Sequence, residues 1–460
     1  MFYFHLNPSD GCLHLQVYHA LRRSMLSGVL PEGMKLPSKR CLAKDLGVSI
    51  NTVETAYAQL ELEGYILRRE RVGSFVQALD HQLILPQQNL PHPLDPLHSP
   101  LEPLYDFSYH GVDPAAFPFG IWRRLLKESA EGDPKELLAP GDPKGYAPLR
   151  RAIASYLSHS RGLEISMHDV LISAGTEHLF QLIRRLLSPS SRYAFEDPGY
   201  AFGTPFFTHD LLDPIAIPVD ESGLCCETLR HSLADVVLVT PAHQFPLGMI
   251  LPIQRRLELL HWASQSSDRF IIEDDYDGEF KYLGKPVPAL KSLDSQDSVI
   301  YMGSFSKSFT PALRISYMVL PRRLMLRYDE WFQGFGCPCS VFTQKALARF
   351  IDEGFFETHL NRLRLAYAKK RALLEELLTG HPRLSVSGAE AGLSLLATLD
   401  TTLSEEALLE NALSAGIRVY GINAFRKKSQ GSSPQLLLGY AKLKEEELRS
   451  AVPLLLSTIG

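Results

Sequence analysis

The stretch VIYMGSFSKSFTPALRISYMVLP, from Val299 to Pro321, decides the fold of the larger part of this 460-residue chain. An apolar, strand-like run leads into Ser304, Ser306 and Lys307. A lysine amine can form a Schiff base with an aldehyde cofactor. The hydroxyls of the two serines and the guanidinium of Arg314 suit a phosphate group. The stretch therefore predicts a strand that ends in a binding site.

A second apolar run, RFIIEDDYDGEF from Arg269 to Phe280, ends in carboxylates. Ligands of open α/β sheets bind beyond the carboxyl ends of the strands, so these acids are expected at a binding edge. We choose Asp274 as the carboxylate that holds a pyridine nitrogen protonated, which makes such a ring an electron sink. Tyr276 points to the same side as Asp274 and can reach the ring's phenolic oxygen. A metal-binding acidic cluster is the alternative, and the strand's apolar body and the Lys307 motif argue against it.

Two weaker motifs precede this pair. In ISAGTEHLFQLI, Gly175 and Thr176 open a helix, and backbone N–H groups at a helix start can hold a phosphate. In YAFEDPGY, Tyr200 follows a strand and a Pro-Gly turn, from which an aromatic ring could stack on a flat cofactor. An ordinary packed loop tyrosine is the alternative for Tyr200.

The chain separates into three regions by pattern. From about residue 106 onward, apolar runs such as VLIS, VVLVT and RFIIED alternate with helical stretches, which predicts an α/β domain with a mostly parallel sheet. Residues 79–105 are rich in proline and predict a semi-extended linker. Residues 1–78 predict short helices and a small hairpin.

Composition narrows the class of protein. Hydrophobic residues make up 45% of the chain and charged residues 22%, as in a folded protein. No apolar run of about 18 residues predicts a membrane span, and the N-terminus does not resemble a signal peptide. The six cysteines include no CxxC pair, so their spacing predicts neither a zinc site nor a disulfide framework. We expect free thiols in a reducing cytoplasm.

The N-terminal region contains LPSKRCLAKDLGVSINTVETAYAQLELEGYI, from Leu36 to Ile66. Ser38 and Ser49 are good helix N-caps, and Gly47 supplies a tight turn between the two helices that they open. This order predicts a helix-turn-helix, behind a first helix from about Leu13 to Ser27. The following YILRRERVGSFVQ predicts a two-stranded wing. The net charge is −5, but Arg22 to Arg71 holds nine basic against six acidic side chains, a weak basic patch.

These residues resemble the winged helix of the GntR family of bacterial regulators. The resemblance implies DNA contacts from the helix-turn-helix residues Ser38, Lys39, Arg40, Ser49, Asn51 and Thr52, and from Arg71 and Gly73 in the wing. Ile50 stands where family members often carry arginine, and an apolar side chain can touch a thymine methyl but cannot pair with guanine. The alternative is a helical interaction module with incidental basic residues.

The region from about Asp106 onward resembles fold type I aminotransferases. Together with TPAHQFPLG, from Thr240 to Gly248, its motifs are closer still to the MocR/GabR subfamily of GntR regulators, which fuses both modules. The resemblance implies pyridoxal 5'-phosphate on Lys307, with Asp274 on the pyridine nitrogen and Tyr276 on the phenolic oxygen. It also implies Tyr200 over the ring, a phosphate held by Gly175, Thr176, Ser304, Ser306 and Arg314, and either His243 or Gln244 near the ring.

Three positions depart from the pattern of these families. Pro140 stands in LLAPGDPKG where the subfamily has tyrosine, and Phe202 stands where an amino-acid-responsive member has arginine. Leu437 in LLLGY replaces the arginine that holds a substrate carboxylate in aminotransferase-like chains. A carboxylate needs a charged, ideally bidentate partner. Arg426, on a loop, is a weak substitute.

The sequence therefore predicts a cytoplasmic transcription regulator rather than an enzyme, and the resemblance implies a homodimer. Its binding to double-stranded DNA is expected to respond to pyridoxal 5'-phosphate, or to an amine or amino acid, at Lys307. One alternative is an active aminotransferase with an accessory DNA-binding head. Another is a DNA-binding protein whose large domain only dimerises and binds no cofactor.

Overall fold

The computed structural model of the chain describes residues 6–7, 11–79, 103–209, 213–282, 287–428 and 433–459. The chain divides into two compact units, Met1–Ser99 and Pro100–Gly460. The predicted linker lies for the most part, at residues 80–102, outside the described residues, so its extended conformation stays a prediction. No helix in the described part of the chain is long and apolar enough to cross a membrane.

The N-terminal unit contains three helices followed by a two-stranded sheet. The elements are α1 (Leu13–Leu26), α2 (Lys39–Leu46), α3 (Ile50–Leu62), β1 (Ile66–Arg69) and β2 (Gly73–Val76). The strands pair antiparallel, with Ile66 opposite Val76 and Arg69 opposite Gly73. The predicted helix-turn-helix and wing are thereby confirmed.

Capping residues set the turn between α2 and α3. The Ser38 side chain accepts a hydrogen bond from the backbone N–H of Cys41, and the Ser49 side chain accepts one from Thr52. Between the helices, Gly47 has a φ of 67°, a left-handed conformation that glycine adopts without steric cost. The apolar faces of all three helices and the wing meet in one small core, which includes Val17, Leu21, Leu42, Val53, Leu60 and Ile66.

The larger unit begins with β3 and ends with α16. Its helices are α4 (Phe119–Ala130), α5 (Pro134–Leu137), α6 (Ala147–Arg161), α7 (Thr176–Leu186), α8 (Tyr200–Gly203), α9 (Pro205–Thr208), α10 (Cys226–His231), α11 (Ile253–Ser264), α12 (Arg322–Trp331), α13 (Val341–Asp352), α14 (Phe355–Leu378), α15 (Glu405–Ser414) and α16 (Glu445–Ser457). Its strands are β3 (Tyr105–Asp106), β4 (Val170–Ser173), β5 (Tyr193–Asp197), β6 (Ile215–Asp220), β7 (Gly223–Leu224), β8 (Val236–Val239), β9 (Phe270–Asp275), β10 (Val299–Ser304), β11 (Ser316–Val319), β12 (Leu384–Ser387), β13 (Ser394–Leu399), β14 (Ile417–Arg418), β15 (Tyr420–Gly421) and β16 (Gln435–Gly439).

The central sheet has eight strands in the order β4-β11-β10-β9-β8-β5-β6-β7. The five strands from β10 to β6 run parallel, while β11, β4 and β7 pair antiparallel with their neighbours. Successive side chains of β10 enter different cores, with Ile300 and Met302 on one face and Val299 and Tyr301 on the other. Both faces are therefore covered, as a parallel sheet requires. The predicted α/β class and mostly parallel sheet are confirmed.

A second, antiparallel sheet has the order β12-β13-β16-β15 and packs on α14, α15 and α16. The short strand β3 pairs with β14 in parallel, so that the segment after β3 is tied to residues more than 300 positions later. That tie brings Tyr109 and His110 to the edge of the central sheet where β9 and β10 end.

Candidate cofactor site and DNA-contacting surface

A cavity of about 290 Å³ lies beyond the carboxyl ends of β9 and β10. Eight residues that the sequence predicted line this cavity: Thr176, Tyr200, Asp274, Tyr276, Ser304, Ser306, Lys307 and Arg314. Three others, Gly175, His243 and Gln244, do not line it. The structure therefore gathers side chains from four separate motifs into one site.

Lys307 reaches the cavity from the turn after β10. Its Nζ donates a hydrogen bond to the backbone carbonyl of Tyr109. Burial lowers the pKa of Lys307 to about 8, although the nearby Asp277 carboxylate acts in the opposite direction. A lowered pKa leaves a larger share of the amine uncharged near neutral pH, and the uncharged amine is the form that attacks an aldehyde.

Asp274 projects into the cavity from the end of β9. It is 6% exposed, and its carboxylate accepts no hydrogen bond from any residue that the structure describes. Burial raises the pKa of Asp274 to about 7, helped by the charges of Asp275, Asp277 and Glu196. A buried, unpaired carboxylate that faces a cavity fits a cationic ring nitrogen, which would stabilise its charged form.

The neighbouring Asp275 points away from the cavity, as strand alternation requires. Its Oδ2 lies 2.7 Å from Arg161 Nε and accepts a hydrogen bond of 2.6 Å from the Tyr301 hydroxyl. The two adjacent carboxylates of β9 thus have different surroundings. Asp275 is satisfied within the protein, whereas Asp274 is open to a ligand.

Tyr276 is held from behind by an imidazole. His243 Nδ1 lies 2.8 Å from the Tyr276 hydroxyl and 2.9 Å from Asp277 Oδ2. A carboxylate only accepts, so His243 carries its proton on Nδ1 and donates toward both oxygens. Gly392 packs on this pair, because a Cβ there would lie 2.1 Å from His243 Cε1. Asp277 and Gly392 were not predicted, because only the folded chain shows that Asp277 lines the cavity and that Gly392 packs on His243.

Gln244 has a different environment from His243. Its Nε2 donates to the backbone carbonyls of Pro198 and Phe245, so its side chain supports the loop that carries His243 and Gln244. Of the two residues that the sequence left open, only His243 contacts a side chain that lines the cavity.

The end of the cavity near α7 collects donors for a phosphate. The hydroxyls of Thr176, Ser304 and Ser306 and the guanidinium of Arg314 line it together with the start of α7. Gly175 is required behind them, because it has a φ of 94° and its Cβ would lie 2.2 Å from Arg314 Nη2. Hydroxyls, a guanidinium and a helix N-terminus are the donor set that phosphates prefer.

Aromatic side chains form the remaining wall. The rings of Tyr200 and Phe245 meet edge to face at 5.9 Å, and Tyr109 lies 5.2 Å from Phe245. Burial raises the pKa of Tyr200 to about 12, so its hydroxyl stays protonated. Tyr109 and His110 were missed from the sequence, because only the pairing of β3 with β14 brings them here. Burial also lowers the pKa of His110 to about 4, with Lys307 acting in the same direction.

The departures noted in the sequence leave the cavity with one arginine. Arg314 is the only arginine that lines it among the described residues, and Arg426 does not reach it. Leu437 is fully buried in an apolar cluster with Phe245, Leu396, Ile422 and Phe425. Phe202 packs against Phe195 at 6.0 Å. The two positions at which similar chains carry arginine therefore hold apolar side chains, and neither of these side chains lines the cavity.

The residues present fit pyridoxal 5'-phosphate in three respects. The cavity offers a buried amine for the aldehyde, an unpaired carboxylate for the pyridine nitrogen and a donor set for the phosphate. The hydroxyl of Tyr276, held by His243, offers a fourth polar group on the same side as Asp274.

The second candidate surface lies on the N-terminal unit. Ser38, Arg40, Ser49, Asn51 and Arg71 are exposed, whereas Lys39, Thr52 and Gly73 are half-buried. Some of these residues also stabilise the unit: the Thr52 hydroxyl lies 2.8 Å from that of Ser49, and Lys39 forms an ion pair with Glu54. The side chain of Lys35, which the sequence did not single out, lies against Gly73 of the wing.

Comparisons with known proteins agree with this arrangement. Residues 13–76 match the family model described as bacterial regulatory proteins, gntR family, and residues 116–454 match aminotransferase class I and II. Among solved structures, the kynurenine aminotransferase of Pyrococcus horikoshii is similar, with a TM-score of 0.68 and 27% identity, over 77% of this chain and 90% of that one.

Curated relatives match this chain over nearly its whole length. A protein of Bacillus subtilis described as the HTH-type transcriptional regulator YdeL is 37% identical over 96% of both chains. The Rhizobium meliloti protein described as the probable rhizopine catabolism regulatory protein MocR is 32% identical over 96% of this chain and 93% of its own. The pyridoxine biosynthesis regulator PdxR of Corynebacterium glutamicum is 30% identical over 96% and 95%. The chain belongs to the MocR/GabR subfamily of GntR-type transcription regulators, which joins a winged helix-turn-helix to a fold type I aminotransferase domain of the pyridoxal 5'-phosphate-dependent kind.

Proposed function

We propose that this chain is a cytoplasmic transcription regulator whose binding to double-stranded DNA responds to pyridoxal 5'-phosphate, or to an amine that reacts at Lys307. The observation that carries the proposal is the cavity that combines the buried Lys307 amine, the unpaired Asp274 carboxylate and a phosphate-type donor set. We assign DNA binding to residues 1–78, a linker to 79–105 and the cofactor to 106–460.

Each part of the cavity has a separate task in this proposal. When bound, the cofactor supplies an aldehyde that captures amines and a ring that withdraws electrons from them. Lys307 holds it covalently, and Asp274 keeps its ring nitrogen protonated. Tyr276, oriented by His243, donates to the phenolic oxygen. Tyr200 covers one face of the ring.

The phosphate is assigned to the far end of the cavity. Ser304, Ser306, Thr176 and Arg314 are proposed to hold it at the start of α7, behind which Gly175 leaves the space for the guanidinium. This anchoring fixes the position of the ring relative to Asp274 and Lys307, which are on the strands and turns of the rigid central sheet.

The cavity has no arginine besides Arg314 among the described residues that line it, and this limits the kind of small molecule that can act as the signal. A carboxylate bound there would lose its water without gaining a charged partner, which is costly in an apolar site. We therefore propose that the signal is pyridoxal 5'-phosphate itself, or an amine without an α-carboxylate. The relative named for pyridoxine biosynthesis supports a signal from this vitamin's chemistry.

An active aminotransferase with an accessory DNA-binding head is the second candidate. Lys307 and Asp274 favour it, because those two groups are what a transamination requires of the protein. Leu437 and Phe202 argue against it, since an amino acid substrate needs its carboxylate held.

DNA contact is proposed for the exposed N-terminal end of α3, which would enter the major groove, and for Arg71 and Gly73 at the wing. Ser38, Lys39 and Arg40 at the start of α2 would contact phosphates. We propose that two copies of the chain act together as a homodimer. The larger unit exposes Phe119, Leu138, Trp331 and Phe335, apolar side chains that a second copy could cover.

Replacing Lys307 with alanine tests the proposal most directly. Lys307→Ala should abolish the visible absorption of the protein with its cofactor, and DNA binding should no longer change when pyridoxal 5'-phosphate is added. Absorption spectra with and without borohydride reduction and electrophoretic mobility shifts measure both effects. Lys369→Ala, an exposed lysine on α14, is the matched control. If colour and response both survive in Lys307→Ala, the proposal is wrong.

Replacing Asp274 with asparagine separates its charge from its shape. Asp274→Asn should weaken cofactor binding by about 10- to 100-fold, as the loss of a charged hydrogen bond predicts. Since burial raises the folded-state pKa of Asp274 to about 7, the cofactor-free protein should lose stability as pH rises from about 4 to 7.

The pH dependence of stability gives a second, independent measurement of the role of Asp274. In the cofactor-free protein, the free energy of unfolding, measured by urea denaturation at each pH, should fall less between pH 5 and pH 8 in Asp274→Asn than in the parent, by roughly 1.4 kcal/mol per pKa unit removed. Glu196 and Glu273, whose pKa values burial also raises to about 7, keep the remaining pH dependence. An unchanged pH profile would show that Asp274 is not a buried, titrating acid.

Two amines that differ only in a carboxylate test the apolar wall. We expect 2-phenylethylamine to change the cofactor absorption at a concentration at least about tenfold lower than phenylalanine does, because no charged partner meets the carboxylate. Absorption titration measures both, and the shared phenyl ring removes differences in apolar contact. Rapid conversion by phenylalanine, with turnover, would instead support the aminotransferase.

Two substitutions separate base reading from phosphate contact on the N-terminal unit. Asn51→Ala should cost about 1–3 kcal/mol on a duplex selected by the protein and little on an unrelated duplex. Arg40→Ala should weaken binding to both and lower the salt slope by about one. Gln59→Ala, exposed near the other end of α3, is the control. Equal losses on both duplexes in Asn51→Ala would remove that residue from base recognition.

A further inference from the structure

Glu177 brings a negative charge into the part of the cavity assigned to a phosphate. It is the second residue of α7, and it lines the cavity beside Thr176 and Arg314. Its Oε2 lies 2.8 Å from Arg314 Nη2. The Glu177 carboxylate therefore already binds the guanidinium that a phosphate would need.

The position suits Glu177 while no phosphate is bound. Acidic side chains are favourable in the first turn of a helix, where the backbone N–H groups concentrate positive charge. The same N–H groups and the same guanidinium are the favourable partners of a phosphate at this place. A phosphate and the Glu177 carboxylate thus compete for one set of partners, and they repel each other once both are present.

We infer that Glu177 competes with the cofactor phosphate for Arg314 and for the start of α7, and that it thereby keeps the affinity for pyridoxal 5'-phosphate low enough for occupancy to follow the cofactor's concentration. This inference rests on the proposed function and adds to it the residue that sets the working range of the response. A regulator saturated at all times could not report on its ligand.

The solvent exposure of Arg314 and Glu177 sets the expected strength of this competition. The side chains of Arg314 and Glu177 are 55% and 41% exposed, so water screens their attraction and the like-charge repulsion alike. Glu177→Gln keeps the shape and removes the charge. It should tighten binding of pyridoxal 5'-phosphate by about 3- to 10-fold, a gain in the range of surface charge effects.

The experiment compares two ligands and two salt concentrations. Dissociation constants for pyridoxal 5'-phosphate and for pyridoxal, which has the aldehyde and ring but no phosphate, are measured by absorption titration on the full chain and on Glu177→Gln. Only the phosphorylated ligand should bind more tightly to Glu177→Gln, and the ratio between the two proteins should shrink at high salt, because salt screens exposed charges. Glu410→Gln, an exposed residue on α15, is the control and should change neither affinity.

The outcomes separate this inference from the function on which it rests. A gain for the phosphorylated ligand alone supports competition at the phosphate end. If the parent protein binds pyridoxal 5'-phosphate and Glu177→Gln binds it equally or less tightly, or gains equally for pyridoxal, the inference is wrong and the proposed function stands. If neither protein binds pyridoxal 5'-phosphate, both are wrong.

Discussion

Burial of charge at the carboxyl edge of the central sheet is the constraint on which the larger unit depends. An amine at Lys307 and carboxylates at Asp274 and Asp277 share one cavity. Burial disfavours the charged forms of Lys307 and Asp274, so it lowers the pKa of Lys307 and raises that of Asp274 toward neutrality. A ligand that brought a carbonyl to Lys307 and a cationic ring nitrogen to Asp274 would offset the cost of burying these two groups.

The protein tolerates these groups because their neighbours are satisfied. Asp275 is matched by Arg161 and Tyr301, and Glu196 accepts hydrogen bonds from the backbone and hydroxyl of Thr240. A network in which nearly every member is bonded holds the strands at fixed positions. Against that background, the Asp274 carboxylate, which accepts no hydrogen bond from the residues that the structure describes, is available to a ligand.

Much of this site could be predicted from local sequence, and the reasons differ by residue. Asp274 and Lys307 each follow an apolar strand, and strand alternation correctly separates Asp274 from Asp275. Tyr109 and Gly392 could not be found this way, because the pairing of β3 with β14 brings Tyr109 to the cavity, and Gly392 meets His243 only through packing between segments far apart in the chain. The sequence left His243 and Gln244 as alternatives near the ring, because spacing alone cannot show which of two adjacent side chains turns toward Tyr276. Glu177 lies within the phosphate-type motif, but only the folded structure shows that its carboxylate contacts Arg314.

The same cavity explains why a catalytic constellation can serve regulation. Transamination needs the substrate held at two points, at the reacting amine and at its carboxylate, so that the bond to be broken is aligned with the ring. Here the first point is complete, while Leu437 and the aromatic cluster around it leave the second without a charge. Under the proposed function, Arg314 is assigned to the phosphate, so the described residues that line the cavity offer no further arginine to align the carboxylate of an amino acid. If amines are captured without turnover, as the proposed function requires, the occupancy of the site rather than a product is the output, and occupancy is a quantity that a DNA-binding unit on the same chain can report.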